Sequence, residues 1–263
     1  MKNRLDVILT ERGLFPSREK AKASIMAGLI YVDGQRVDKP GTPVDENAEI
    51  SIKEALCPYV SRGGLKLEKA IEAFGFSLEN SVAVDIGAST VGFTDCMLQK
   101  GARKVFAIDV GYGQLDWKLR NDARVVNMEK INVRYLDTDT VDKDVDFISI
   151  DVSFISLKLV FPVAAKLLSE DGSLVCLVKP QFEAGRSQVG KKGIVRDAEV
   201  HREVIEKVIG YGMDSGLYSY GLTYSPVTGT KGNIEYLLYM KKKPAETSID
   251  IDETVKESHS ELA

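Results

Sequence analysis

Four charged residues could meet at one edge of a predicted sheet. They are Lys66, Asp151, Lys179 and Glu235. Asp151 and Lys179 follow the apolar runs 146–150 and 174–178, Glu235 begins a last predicted strand, and Lys66 follows the flexible segment 61–64. A desolvated lysine beside a second cation releases its proton more easily, and neighbouring carboxylates hold such lysines in place. These residue types predict proton removal from a weakly acidic hydroxyl, and an ordinary Lys179–Asp151 ion pair is the alternative.

A second group of residues surrounds the loop after the predicted strand 82–86. It comprises Asp85, Gly87, Ala88, Ser89, Gly92, Phe93 and Asp109. Gly87 lacks a Cβ, so the backbone there can turn tightly and approach a ligand. Asp109 ends the next predicted strand, where its carboxylate could accept hydrogen bonds from both hydroxyls of a ribose. The pattern is typical of a nucleotide pocket beyond the strand ends, although a plain strand–turn–helix would also use these glycines.

The same loop distinguishes between kinds of nucleotide. A dinucleotide site has the pattern Gly-x-Gly-x-x-Gly, and Ser89 stands where that pattern has its second glycine. The Asp85 carboxylate would repel a pyrophosphate, but it suits the cationic amino-acid part of S-adenosylmethionine. This cofactor predicts methyl transfer. The turn Asp151-Val-Ser-Phe154 lacks the two prolines that amino methyltransferases carry at this place, which favours an oxygen acceptor such as a ribose hydroxyl.

Strands alternate with helices from about Leu65 onward, which predicts an α/β fold. The predicted strands are 82–86, 104–109, 124–128, 145–150 and 174–178, followed by an antiparallel pair at 217–224 and 234–240. The predicted helices are 93–100, 155–168 and 198–213. Such alternation indicates a Rossmann-like sheet, mostly parallel with an antiparallel last strand, whose parallel strands end at one common edge.

The chain divides into four predicted regions. Residues 1–57 form a small α+β domain, in which two helices precede short strands around turns. Residues 58–64 form a linker, and residues 65–243 form the α/β domain. Residues 244–263 are acidic, polar and free of aromatic side chains, which predicts a disordered tail.

Composition argues against several classes of protein. The chain has no apolar run near the ~20 residues of a membrane helix and no apolar signal core at its N-terminus, so we expect a cytoplasmic protein. Three widely spaced cysteines indicate neither disulfides nor a metal site. His201 and His259 are the two histidines of the sequence, and both lie in charged stretches where we expect solvent. A Ser-His-Asp hydrolase therefore fits poorly.

The net charge of −4 hides an uneven distribution. Residues 245–263 contain six acids and one base, and residues 1–44 contain eight bases and five acids. The basic side chains that we expect to contact phosphates are Arg4, Arg18, Lys20, Lys22, Arg36 and Arg62. Such contacts position a protein on RNA without specifying sequence. By charge alone, a solvated basic face explains these residues equally well.

Several motifs together resemble one known family. The N-terminal region contains Arg4-Leu-Asp, Ser17-Arg, Val32-Asp-Gly and Val37-x-Lys-Pro-Gly. The α/β region contains Tyr59-Val-Ser-Arg-Gly-Gly-Leu-Lys, Asp85-Ile-Gly-Ala-Ser-Thr, Asp109-Val-Gly-Tyr-Gly-Gln-Leu and Lys179-Pro-Gln-Phe-Glu. The chain is similar to the TlyA family of haemolysin-A-like ribosomal RNA 2′-O-methyltransferases. These are related to FtsJ methyltransferases and carry an N-terminal S4-type RNA-binding domain.

The resemblance implies an S-adenosylmethionine-dependent 2′-O-methyltransferase acting on a ribose, that of a cytidine, in ribosomal RNA. Its partner would be ribosomal RNA or ribosomal subunits, with no metal and no membrane, and the oligomeric state stays open. The Lys-Asp-Lys-Glu tetrad of the family falls on the four residues that the strand ends already indicated.

One residue departs from the family's loop, which reads Ser-Thr-Gly-Gly-Phe where this chain has Ser89-Thr-Val-Gly-Phe93. If position 91 has a positive φ, a β-branched valine is strained by roughly 1–3 kcal/mol, whereas at a helix start it costs little. Val91 therefore bears on cofactor affinity and leaves a catalytically silent RNA-binding protein as an alternative. A haemolysin or pore-forming protein, which the family's name suggests, is the other alternative.

Overall fold

The structure is a computed structural model that describes residues 2–26, 28–52, 57–89, 91–113, 115–244 and 249–262. The chain divides into two compact units, Met1–Cys57 and Pro58–Ala263. Within the described ranges, no helix is both long and apolar enough to cross a membrane. The same ranges contain no cluster of three or more His, Cys, Asp or Glu side chains that could hold a metal ion.

The first unit is a small α+β domain. Its elements are β1 (Lys2–Arg4), α1 (Leu5–Glu11), α2 (Arg18–Met26), β2 (Ile30–Val32), β3 (Gln35–Arg36), β4 (Pro43–Asp45) and β5 (Ile50–Ile52). β1 pairs with β4, and β2 lies between β3 and β5, all antiparallel. Buried apolar residues recur every three or four positions in the helices, as in Leu5, Ile8 and Leu9 of α1 and Ala21 and Ile25 of α2. One face of each helix therefore packs into a shared core.

The second unit carries a seven-stranded sheet. Its helices are α3 (Gly63–Phe74), α4 (Gly92–Gln99), α5 (Trp117–Arg120), α6 (Phe161–Leu167), α7 (Pro180–Glu183), α8 (Ala198–Asp214) and α9 (Ile251–Leu262). Its strands are β6 (Val82–Ile86), β7 (Lys104–Asp109), β8 (Val125–Glu129), β9 (Val145–Ile150), β10 (Leu168–Val178), β11 (Tyr218–Tyr224) and β12 (Tyr236–Lys241).

The strand order is β11-β12-β10-β9-β6-β7-β8. The five strands from β6 to β10 are parallel to their neighbours, and β12 runs antiparallel between β10 and β11. The chain crosses from β6 to β7 on one side and reaches β9 on the other, so the carboxyl end of β6 lies at a topological switch point. The predicted α/β sheet, mostly parallel with an antiparallel last strand, is confirmed.

The predicted helix 155–168 is shorter than expected and begins with a separate turn. A 3-10 turn covers Leu157–Leu159, and α6 then begins at Phe161. Pro162 lies in the first turn of α6, where its missing N–H has no helical partner to lose.

Residues 58–64 pack onto helices, whereas the sequence predicted a linker. Tyr59 is buried and donates its hydroxyl hydrogen bond to Glu68 at 2.7 Å. The Val60 amide donates to the carboxylate of Asp95 in α4 at 2.8 Å, and α3 already begins at Gly63. This segment therefore fixes the start of α3 against α4.

The acidic end of the chain contains a helix, whereas the sequence predicted disorder for 244–263. In α9, Val255 and Ser258 are buried, and Ile251 and Leu262 pack against the core of the sheet domain. These residues recur at helical spacing, and the acids within α9, which are Asp252, Glu253, Glu257 and Glu261, are exposed. Residues 245–248 and 263 lie outside the described residues.

His201 is fully buried, which corrects the expectation of a solvated side chain. Its Nδ1 lies 2.8 Å from the hydroxyl of Tyr236 and 3.0 Å from Nε2 of His259, and its Nε2 lies 3.1 Å from the carbonyl oxygen of Val195. The Tyr236 hydroxyl also lies 3.0 Å from Oγ of Ser258. This polar cluster joins α8, β12 and α9, and burial lowers the pKa of His201 to about 4.

We expect the pKa of His201 to make unfolding of the second unit depend on pH. The folded-state pKa lies below the ordinary value of 6.5, so the unfolded chain binds the extra proton as the pH falls. Relative to His201→Gln, wild-type protein should lose stability between pH 6.5 and about 4, by at most about 1.4 kcal/mol per pH unit for one proton. Above pH 6.5 the difference should be constant.

Urea denaturation of both proteins at a series of pH values measures this difference. Subtracting the two curves removes the contribution of every other titrating group that the substitution leaves unchanged. A difference that stays flat from pH 7 to pH 4 would show that His201 is not buried in its neutral form.

Candidate active site

The register of the sheet brings three of the predicted catalytic residues to one edge. Val178 pairs with Tyr236 on the antiparallel β12, so Lys179 leaves β10 beside the point where Glu235 enters β12. Asp151 directly follows β9, which is the parallel neighbour of β10. The pairs β9–β10 and β10–β12 both bring these residues to the edge of the sheet where β9 and β10 end. Residues far apart in sequence are therefore adjacent there.

Lys66 completes a row of alternating charges in which each lysine contacts a carboxylate. Lys179 Nζ lies 2.5 Å from Asp151 Oδ1, and Lys66 Nζ lies 2.7 Å from Glu235 Oε2 and 3.9 Å from Asp151 Oδ2. The two lysine side chains are about nine-tenths buried, and Glu235 is buried almost completely. Lys179 also donates to Oγ of Ser153 at 3.0 Å. The structure thus brings all four predicted residues together in one neutral row, the charged row.

Lys66 reaches this row because α3 lies very close to α4. A Cβ on Gly92 would stand 2.7 Å from the backbone nitrogen of Gly64 and 3.0 Å from the Cα of Gly63. Neither backbone could move away cheaply, so position 92 has room for glycine alone. Lys66 lies one turn into α3, and the close helix contact directs it to Asp151 and Glu235.

Asp85 lies beneath the predicted cofactor loop and is 1 % exposed. Its Oδ2 accepts hydrogen bonds from the Thr94 amide at 3.0 Å and the Thr94 hydroxyl at 2.7 Å, and its Oδ1 accepts one from Ser149 at 2.8 Å. Burial raises the pKa of Asp85 to about 6, against the opposing effect of these donors. From the sequence, this carboxylate was expected to face a ligand. In the structure it joins α4 to β9 and also lines the polar cavity.

Asp109 fixes the other side of the loop. Its Oδ2 accepts a hydrogen bond from the Ser89 amide at 2.8 Å, and its Oδ1 accepts one from the Gly111 amide at 2.6 Å. A carboxylate has about four lone-pair positions, so these two bonds leave capacity for further donors. Gly87 has a φ of +84°, and a Cβ there would collide with the backbone carbonyl of Asp151.

Two adjoining cavities open at this edge of the sheet. The first, of about 480 Å³, is mainly polar and is lined by Arg62, Lys66, Ala88, Gly92, Phe93, Lys179 and Lys231, among others. The second, of about 460 Å³, is mainly apolar and is lined by Ile108, Asp109, Ile131, Val133, Val152 and Phe154, among others. Gly87, Ser89, Asp151 and Ser153 line both cavities, so the charged row lies directly beside the apolar pocket.

Sequence reasoning assigned no role to several residues that hold the site. Glu183 is buried, and its carboxylate accepts hydrogen bonds from the Ser156 hydroxyl and the Leu157 amide, both at 2.7 Å. Burial raises the pKa of Glu183. These bonds tie α7 to the segment that follows Asp151. Their partners lie more than 25 residues away along the chain, so no local pattern could reveal them.

The predicted phosphate-binding residues have different environments. Arg4 and Arg18 both donate to the buried carboxylate of Asp6 at 2.9 Å, and the hydrogen bond from Arg4 lowers the pKa of that carboxyl to about 2. Each arginine side chain is still about half exposed. The other predicted contacts are Lys20, Arg36 and Arg62, which are exposed, and Lys22, which is half-buried.

Val91 has the conformation in which a side chain is unfavourable. Its φ is +60° and its ψ is 33°, the left-handed region, and it precedes the first residue of α4. The side chain is fully buried. Of the two possibilities considered from the sequence, the structure has the strained one, in which position 91 has a positive φ. The family's loop has glycine at this position.

We expect this backbone conformation to invert the usual order of alanine and glycine. Within a helix, alanine is more stabilising than glycine by about 1 kcal/mol. At position 91 both substitutions remove the valine methyls, but glycine tolerates a positive φ and alanine does not. Val91→Gly should therefore be more stable than Val91→Ala by about 1 kcal/mol, as measured by urea denaturation. If the alanine variant is the more stable one, position 91 does not have a left-handed conformation in solution.

Comparison with known proteins agrees with the fold. Residues 59–242 match the FtsJ-like methyltransferase family, and residues 3–50 match the S4 domain family. The Bacillus subtilis protein YqxC, named as a candidate rRNA methyltransferase, is 50% identical over 91% of this chain and 85% of its own length. The 16S/23S rRNA (cytidine-2′-O)-methyltransferase TlyA of Mycobacterium tuberculosis is 40% identical over 90% of this chain and 89% of its own.

A solved structure is similar to almost the whole chain. A Streptococcus thermophilus protein described as a candidate haemolysin is 48% identical, with a TM-score of 0.78, over 99% of this chain and 96% of its own. The haemolysin label and the rRNA methyltransferase label thus occur among relatives of similar identity. The chain belongs to the FtsJ-like methyltransferase family and carries an S4 domain ahead of its methyltransferase domain.

Proposed function

We propose that this protein uses S-adenosylmethionine to methylate the 2′-hydroxyl of a ribose in ribosomal RNA, the ribose of a cytidine as in the named relatives. The observation that carries the proposal is the pair of adjoining cavities. One is an apolar pocket with a carboxylate at its edge, the other contains the charged row, and both are lined by Gly87 and Asp151.

The residues of the apolar pocket fit the nucleoside part of this cofactor. Ile108, Ile131 and Val133 provide walls for an adenine ring, and the free lone pairs of Asp109 suit the two ribose hydroxyls. Gly87, which has no Cβ, lets the loop after β6 lie directly against the backbone carbonyl of Asp151. Ala88, Ser89, Gly92 and Phe93 line the polar cavity on the side where the amino-acid part would lie. When bound, S-adenosylmethionine supplies an electrophilic methyl group.

The charged row acts on the acceptor. A ribose hydroxyl has to lose its proton as its oxygen bonds to the methyl carbon, and Lys179 Nζ is the group placed to take or share that proton. Asp151 Oδ1, 2.5 Å away, stabilises the ammonium that results. Lys66 and Glu235 hold Asp151 from the other side, so that the row keeps its geometry while the proton moves. Correct orientation of the hydroxyl accounts for much of the expected acceleration.

Ribosomal RNA as the substrate is supported by the S4 domain and by the relatives. The S4 match covers residues 3–50, which include exposed basic side chains such as Lys20 and Arg36. The M. tuberculosis relative is named for cytidine 2′-O-methylation of 16S and 23S rRNA. Position 152–153 has no proline, so the turn after Asp151 lacks the feature that amino methyltransferases use for nitrogen acceptors.

Mass mapping of ribose methylation in ribosomal RNA, with and without this protein, tests the proposal. We expect at least one cytidine to lose a 2′-O-methyl group when the protein is absent, and to regain it with purified protein and S-adenosylmethionine. Calorimetry with S-adenosylmethionine separates the alternatives, because a catalytically silent RNA-binding protein would give no heat of binding. Identical methylation maps together with no heat would refute the proposed function.

We expect Lys179→Ala to lower the rate of methyl transfer by about 10²–10⁴-fold, the usual contribution of a positioned general base. Transfer of a tritiated methyl group to ribosomal RNA measures the rate. Calorimetry should give an unchanged affinity for S-adenosylmethionine, since Lys179 lies outside the apolar pocket.

Lys143→Ala is the matched control, because Lys143 is exposed at the amino end of β9, the opposite edge of the sheet. It should transfer methyl groups at the wild-type rate. If Lys179→Ala turns over as fast as this control, Lys179 does not take the proton.

A further inference from the structure

The segment between Glu183 and Asp197 contains four bases and no acid, in a chain whose net charge is −4. The bases are Arg186, Lys191, Lys192 and Arg196, and all four are exposed. Within the part of the chain that the structure describes, none of them forms an ion pair or a hydrogen bond through its side chain. Residues 185–196, here called the basic loop, therefore present charge that no protein group neutralises.

The basic loop is held in a defined shape by one buried amide. Asn233 is 3 % exposed, and its Nδ2 donates to the carbonyl of Gly193 at 3.0 Å while its Oδ1 accepts from the amide of Val195 at 3.1 Å. The tip of the loop is closed by Gly193 N to Gly190 O at 2.8 Å and Gly190 N to Ile194 O at 3.0 Å. Lys191 and Lys192 therefore project from a turn that is fixed at both ends.

The same residue connects the basic loop to the charged row. Asn233 precedes Glu235 by two residues, and its backbone carbonyl accepts a hydrogen bond from the Gly229 amide at 2.8 Å. A Cβ on Gly229 would collide with the Glu235 carboxylate, so the backbone of Gly229 lies directly against that carboxylate. Lys231 lines the polar cavity, and a Cβ on Gly193 would lie 3.8 Å from its Nζ. We call Lys191, Lys192 and Lys231 the basic rim.

Exposed lysines that cluster without acids repel one another, and the rim is relieved of that repulsion when an anion binds. A ribose inside an RNA strand brings such anions with it, because a phosphodiester is attached to the carbon next to the 2′-hydroxyl. A ribose that reaches Lys179 in the polar cavity thus places its flanking phosphates at the mouth of that cavity. Lysine ammonium groups suit phosphates as mobile point charges that do not read base identity.

We infer that the basic rim binds the phosphodiesters on either side of the target nucleotide and so positions its ribose over the charged row. This rests on the proposed function. Asn233 acts as a positioning residue, since it connects the rim to the segment that ends in Glu235. The rim contributes affinity for the strand and no sequence specificity.

The test neutralises two rim lysines and measures RNA binding at several salt concentrations. For single-stranded RNA, each phosphate contact contributes about 0.7 to the slope of log K against log salt concentration. Lys191→Gln combined with Lys192→Gln should lower this slope by about 1 and weaken binding roughly 3- to 30-fold. The KM for RNA should rise similarly, while kcat and the affinity for S-adenosylmethionine stay at wild-type values.

The matched control is Lys143→Gln combined with Lys166→Gln. Both lysines are exposed and lie just before the amino ends of β9 and β10, on the opposite edge of the sheet, so the variant loses the same charge elsewhere. This control should keep the wild-type slope and KM. Equal slopes and KM values for the two double variants would overturn the inference, because net charge alone would then explain any loss.

Three further outcomes separate the possibilities. If wild-type protein transfers methyl groups to RNA and the rim variant behaves as wild type, the rim inference fails and the proposed function stands. If wild-type protein transfers none, the proposed function itself fails. If polyglutamate binds the wild-type protein as tightly as RNA does and the rim variant loses both, the rim is a site for an acidic protein and the assignment to RNA is wrong.

Discussion

The buried row Lys179–Asp151–Lys66–Glu235 is the interaction on which the rest of the site depends. Each charge is removed from water, which costs several kcal/mol per ion unless partners replace the solvent. The row meets that requirement by alternating signs at 2.5, 3.9 and 2.7 Å, so that it is neutral as a whole. Loss of any one member would leave a neighbour buried and uncompensated. The charge balance of the row therefore depends on all four side chains, and the strands and helix that carry them must keep their relative positions.

Those positions depend on close backbone approaches and on buried carboxylates behind the row. Because Gly92 has no Cβ, α4 approaches the backbone of Gly63 and Gly64 at the start of α3, which determines where Lys66 lies. Asp85 connects Thr94 in α4 to Ser149 in β9, and Asp151 lies two residues after Ser149. One buried acid thus links the helix that follows the predicted cofactor loop to the strand that precedes Asp151. The strained φ of Val91 at the start of α4 is tolerated because the helix and this hydrogen-bonded carboxylate hold the backbone there.

A second group of buried polar side chains supports the opposite wall of the polar cavity. Asn233 holds the basic loop, and His201 contacts the carbonyl of Val195 within the same loop while also contacting Tyr236 in β12. The order of the surface loop therefore depends on side chains in the core of the sheet domain. The turn that carries Lys191 and Lys192 is already closed by hydrogen bonds. If an anion binds these lysines, the loss of backbone entropy on binding is therefore small.

Sequence alone was sufficient for the sheet, for the residues at its strand ends and for the family. Apolar runs of strand length and glycines at turns are local features, and parallel strands end at a common edge whatever their loops contain. The positions of Asp151, Lys179 and Glu235 at strand ends therefore suffice to predict that they lie close together. The α9 helix and the burial of His201 were not predicted, although the buried residues of α8 and α9 recur with the 3.6-residue helical period. Charged residues lie between these buried positions in the sequence, and whether such a helix face is buried depends on the elements that pack against it.

Tertiary structure decided the matters that depend on contacts across long sequence separations. These include the direction of the Asp85 carboxylate toward Thr94 and Ser149, the attachment of Glu183 to the segment after Asp151, and the clasp of Asn233 on the basic loop. Asp85 had been expected to face a ligand because a sequence shows charge but not direction. Direction depends on which donors the folded chain brings within about 3 Å of each oxygen, and those donors lie tens of residues away.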